Sequence, residues 1–97
     1  MECEEVSNFM GIINNTKNLL REEREVWAEE LKAMEKRYER EILREGFPEK
    51  ERERLKSRIK DARHLVEYYD MVLFRMIGIH SDLETAKVYL NKLSNNY

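Results

Sequence analysis

A single cysteine, Cys3, excludes an internal disulfide, and with no second thiol beside it a cysteine-held zinc is excluded too. It reads as an incidental thiol near a fraying end. One proline and three glycines leave little punctuation in the chain, so long uninterrupted elements are expected. No apolar run approaches the ~20 residues needed to cross a bilayer; the densest, Met71-Val72-Leu73-Phe74, stops at Arg75. The opening Met1-Glu2-Cys3-Glu4-Glu5 is acidic where a secretory signal is basic and then apolar, which predicts a soluble, cytoplasmic protein with no membrane partner. Glutamine is absent and 17 Glu stand against 3 Asp. Hot environments favour that bias toward Glu, Lys and Arg, and long helices select it as well, so a thermophilic source is expected. There is no glycine-rich phosphate loop, nucleophile motif or zinc-finger spacing, and His64 and His80 stand too far apart to begin a ligand set. Neither cofactor nor metal is expected.

What is present is a chain that is 41% apolar and 39% charged, too apolar for generic disorder and long enough for one core. A single domain over residues 1–97 follows, and no segment alternates as a strand would. Gly46-Phe47-Pro48 is the main corner: glycine takes the left-handed conformation that ends a helix, and proline fits the start of the next. Before it, Trp27, Leu31, Met34, Tyr38 and Ile42 recur at steps of four and three, predicting one helix over about 4–45, weakened near Gly11, Asn14, Asn15 and Thr16. After it, Leu55, Ile59, Ala62, Val66, Tyr69, Leu73 and Met76 keep the 3.5-residue repeat of a coiled-coil seam, predicting a second helix over about 49–77.

Gly78 followed by Ser81-Asp82-Leu83-Glu84 reads as a helix stop and a capping box, so a third helix is expected over about 82–94. The architecture implied is all-α. It is a long antiparallel, coiled-coil-like hairpin with a shorter C-terminal helix folded back to make a three-helix bundle at one end. Around Phe47 the pairing sets Tyr38 near Ile59, Met34 near Ala62, Leu31 near Val66 and Trp27 near Tyr69. The apolar groups at Tyr68, Val72, Phe74 and Ile77 point away from that seam, and the third helix is expected to cover them. At the corner end only two helices meet, and a second copy would shield them in a four-helix bundle. Leu31, Met34, Tyr38, Ile42, Leu55 and Ile59 are the expected interface of a homodimer.

Charge is uneven. Residues 1–31 carry three basic against eight acidic side chains, residues 32–64 twelve against eight, and residues 65–97 three against four. The arm around the corner is therefore basic, with Arg37, Arg40 and Arg44 on one helical face and Lys56, Lys60 and Arg63 on another. Such a stripe suits nucleic-acid phosphates, although interleaved glutamates such as Glu41 are spaced to pair with it.

Arg75-Met76-Ile77-Gly78-Ile79-His80 resembles the arginine-to-histidine signature of the HEPN family of helical domains, many of them metal-independent ribonucleases. That resemblance implies a dimer cleft in which His80 moves a proton and Arg75 stabilises phosphate charge. Met76 stands where that family usually carries a polar residue. Glu51-Arg52-Glu53-Arg54-Leu55 is similar to the acidic-arginine stretch in the second helix of the helical chorismate mutases, but the family's other arginines and lysine have no counterpart along the first helix. The reading that combines these features is a small cytoplasmic protein–protein interaction module, an adaptor, scaffold or regulator, self-associating through its hairpin. Nucleic-acid binding by the basic arm and a HEPN-like ribonuclease dimer are the alternatives.

Overall fold

The computed structural model describes residues 3–95, and of Cys3 the backbone only. Two helices account for nearly all of them: α1, Cys3–Ile42, and α2, Glu49–Asn95. Among the described residues there is no strand. Both helices start in acid and finish near base, with Glu4, Glu5, Glu49 and Glu51 in the first turns and Arg40 and Lys92 in the last, which suits the helix dipole.

The third helix does not exist. α2 passes through Gly78 and Ser81 without interruption and ends at Asn95, so there is no three-helix bundle. Gly78 has an ordinary helical φ, and the supposed capping residues are used inside the helix. The Ser81 carbonyl accepts from the Thr85 hydroxyl at 3.3 Å, and Glu84 lies 3.4 Å from His80 Nδ1, one turn back. The physical reason is the seam itself. Its alternating steps of four and three continue from Met76 through His80, Leu83, Lys87 and Leu90, and all four are half-buried. A histidine and a lysine hid that continuation from a reading based on apolar residues. Uninterrupted pairing outweighs one glycine, which costs a helix only about 1 kcal/mol.

α1 shows the same rule. Val6, Met10, Ile13, Lys17, Leu20, Arg24, Trp27, Leu31, Met34, Tyr38 and Glu41 keep the steps of four and three along the whole helix, and each is buried or half-buried. Glu41 takes the last position, while Ile42, expected on the stripe, is 41% exposed. The weak stretch near Asn14 holds as helix, with the Thr16 hydroxyl donating to the Ile12 carbonyl at 2.8 Å. α1 ends three residues short of the expected Glu45. The Arg44 amide donates to the Glu41 carbonyl at 3.1 Å, Gly46 turns left-handed at φ 81°, and the Pro48 carbonyl accepts from Arg52 at 3.1 Å to start α2.

The chain divides into two compact units. One, Glu22–Asp70, holds the corner and is an antiparallel helical hairpin with Leu55, Ile59 and Ala62 buried between its helices. Its register is that expected, because Tyr38 and Ile59 line one cleft and Trp27, Met34 and Ala62 another. Arg24 forks onto Asp70 at 2.7 and 3.4 Å, and Arg63 reaches Glu35 at 3.2 Å. The other unit, Met1–Arg21 with Met71–Tyr97, buries Val6, Ile13 and Leu73. Lys17, 8% exposed, is the one charged residue buried among those described.

Candidate functional site

Naming the seven helical positions a to g, with the seam at a and d, sorts every other side chain onto a flank. In an antiparallel pair the e positions of the two helices adjoin along one side and the g positions along the other. The corner unit bears this out. Glu35, Lys56 and Arg63, all at e, share a cleft of about 230 Å³, while Arg37, Glu51 and Arg58, all at g, share one of about 240 Å³.

That sorting divides the basic residues expected to bind phosphates. On the e side they are engaged with carboxylates: Arg63 with Glu35, and Lys56 with Glu53 at 3.7 Å. Arg44, on the g side, is held by Glu41 at 3.3 Å. Lys60 lines the e-side cleft beside Glu35 and Glu39. Arg40 is exposed. The cluster with open charge is Arg37 with Arg54 and Arg58 in the g-side cleft, where none of the three has an ion-pair partner among the described residues. The sequence points to Arg54 only within the chorismate-mutase-like stretch and does not single out Arg58, because on α2 alone they flank Leu55 unremarkably; the register brings them to Arg37.

Arg24 occupies a seam position yet stays in register with the charge of Asp70. The hydrogen bonds it donates to Asp70, and secondarily to Glu25, raise its pKa above the already high ordinary arginine value. Its side chain is about one-third exposed, so the pair is a clasp at the rim.

Arg75 and His80 do not meet on one chain. Five residues along a helix is about 140° of rotation, which puts Arg75 at c on an exposed flank and His80 at a in the seam. His80 is 3.4 Å from Glu84. In the segment similar to chorismate mutases, Arg52 is half-buried at the seam with its Nε unpartnered among the described residues, Glu53 pairs with Lys56, and Arg54 goes to the g-side cleft. Glu51, Arg54 and Leu55 line that cleft, but Arg52 and Glu53 are not among its lining residues, so the stretch does not converge on it as a whole.

The six residues expected at a dimer interface lie within the corner unit. Leu55 and Ile59 are buried at its own seam, Leu31, Met34 and Tyr38 are half-buried there, and Ile42 is exposed at the end of α1.

The largest unsatisfied surface is on the other unit. Val6, Ile13 and Leu73 are its buried apolar side chains, whereas eleven large ones are exposed on it, so exposed apolar groups outnumber the core. They are unevenly distributed. The flank of c and g positions carries Phe9, Ile12 and Leu19 from α1 and Val72, Ile79, Tyr89 and Leu93 from α2. On the opposite flank α1 offers Ser7, Gly11, Asn14 and Asn18, and only α2 contributes large apolar groups, at Phe74, Ile77 and Val88. Val72, Phe74 and Ile77, which a third helix was expected to cover, are among these exposed side chains.

The described residues are therefore all-α, two long helices whose corner unit is an antiparallel hairpin, and among them no helix is long and apolar enough to cross a membrane. Comparison with known protein families, curated proteins and solved structures finds no match.

Proposed function

We propose that this chain is a small protein–protein interaction module whose working form is self-associated, the adaptor, scaffold or regulator class that its sequence suggests. One observation supports the reading above others: on the unit Met1–Arg21 with Met71–Tyr97, more large apolar side chains face outward than inward. Contiguous exposed apolar surface of this kind marks an association site on a folded protein. Twofold pairing is the commonest way to cover it, and two hairpins side by side form a four-helix bundle. Light scattering on the purified chain tests this. The expected molar mass is twice 11.8 kDa, and a mass of 11.8 kDa at working concentration removes the proposal.

A second reading, nucleic-acid binding, is favoured by the three open arginines of the g-side cleft, Arg37, Arg54 and Arg58. Phosphate contacts would make affinity fall steeply with salt. Retention of short RNA at low salt that is lost in an Arg37→Ala/Arg54→Ala/Arg58→Ala variant supports it; no retention at low salt excludes it.

A further inference from the structure

The geometry points to one occupant and one orientation for the apolar flank: a second copy of this chain, docked so that the two α2 helices run antiparallel with Ile79 at the twofold axis. This rests on the self-association proposed above and specifies the face and direction that carry it.

Three observations lead there. The flank is broader and more apolar than its opposite, because both helices contribute to it and the other side of α1 is polar. Its size is adequate. The helices of this unit present roughly 30 Å of length at 1.5 Å per residue and roughly 20 Å of combined width, about 600 Å² per copy and so about 1,200 Å² in total, the lower bound for a stable interface. The charges on it are self-complementary in one direction only. Arg75 lies four residues before Ile79 and Asp82 three residues after; both are exposed, and neither has an ion-pair partner among the described residues. Antiparallel docking about Ile79 sets each Arg75 against the partner subunit's Asp82, whereas parallel docking stacks arginine on arginine and aspartate on aspartate. The same axis sets Val72, seven residues before it, against Ala86, seven residues after, so a larger side chain meets a smaller one.

Disulfide capture in a Cys3→Ser background decides the orientation. Ile79→Cys should link into a dimer under mild oxidation, since its two copies meet at the axis within the ~7 Å between Cα atoms that a disulfide tolerates. Val72→Cys alone should not, because its two copies are separated by about 21 Å of helix, but a mixture of Val72→Cys and Ala86→Cys chains should. Arg75→Glu should weaken dimerisation by about tenfold, and adding Asp82→Arg should restore it. Self-linking of Val72→Cys overturns the antiparallel orientation. Linking through Ile77→Cys in place of Ile79→Cys overturns the choice of flank. Either result leaves self-association standing, whereas a single-chain mass for the Cys3→Ser parent removes self-association and this interface together.

Discussion

At the scale of single residues, two glycines that look alike in the sequence do opposite things. Gly46 sits at φ 81°, where a side chain is strained even though the space around it is open, and Gly46→Ala should lower unfolding stability by about 1 kcal/mol. Gly78 sits mid-helix, outermost from the seam and with open space around it, so Gly78→Ala should raise stability by about 0.5–1 kcal/mol. Urea denaturation of both variants checks the pair, and a destabilised Gly78→Ala would show that position 78 is not the open, outward-facing helical site described. Lys17 is another informative residue. A lysine whose stem is buried at a seam position, with no ion-pair partner among the described residues, takes the place of an apolar side chain and fixes register, as lone polar seam residues do. Lys17→Leu should therefore raise unfolding stability, read by urea denaturation, by about 1 kcal/mol, and speed the hydrogen exchange of its neighbours as register loosens. Leu55→Ala, by contrast, opens a cavity at a buried seam position of the corner unit and should cost about 2–4 kcal/mol.

At the scale of elements, the sequence made the corner, the antiparallel register and the coiled-coil spacing of α2 legible because each depends on local or periodic chemistry. Gly46-Phe47-Pro48 announced the turn, and the steps from Leu55 to Met76 announced the seam. It misled at Gly78 because a glycine followed by Ser81 and Glu84 has the spelling of a cap, while His80 and Lys87, which carry the seam onward, are polar. A search by spacing alone, blind to residue type, finds both, and it also replaces Ile42 by Glu41 at the end of α1. The open arginine cluster was half visible: Arg37 was singled out, but its partners need the pairing of two helices. The Arg24–Asp70 clasp likewise joins residues far apart in sequence. Since the folded state raises the Arg24 pKa, its contribution is complete below the ordinary arginine value and is lost only as pH climbs through the raised one. A double-mutant cycle with Arg24→Ala and Asp70→Ala should accordingly give a coupling of about 0.5–1 kcal/mol, unchanged across neutral pH and reduced by salt.

For the molecule as a whole, the two units divide the work. The corner unit buries its own seam and shows charge outward; the other leaves much of its apolar surface for something else to cover. Expected at this scale are a doubled mass, no dye binding to apolar surface in the doubled form, and dye binding that appears when Ile79→Glu breaks it apart. If the arginine cleft also binds nucleic acid, that activity should survive Ile79→Glu, since the cleft is built from residues of the corner unit alone.

A chain that reverses direction once has a built-in order of assembly. Layers beside the turn, such as Tyr38 with Ile59, close short loops, whereas Val6 can find its place on α2 only after most of the chain has been gathered in, at a higher cost in loop entropy. Pairing should therefore nucleate at the turn and spread outward, with Leu55→Ala slowing folding and Val6→Ala chiefly hastening unfolding in stopped-flow chevrons.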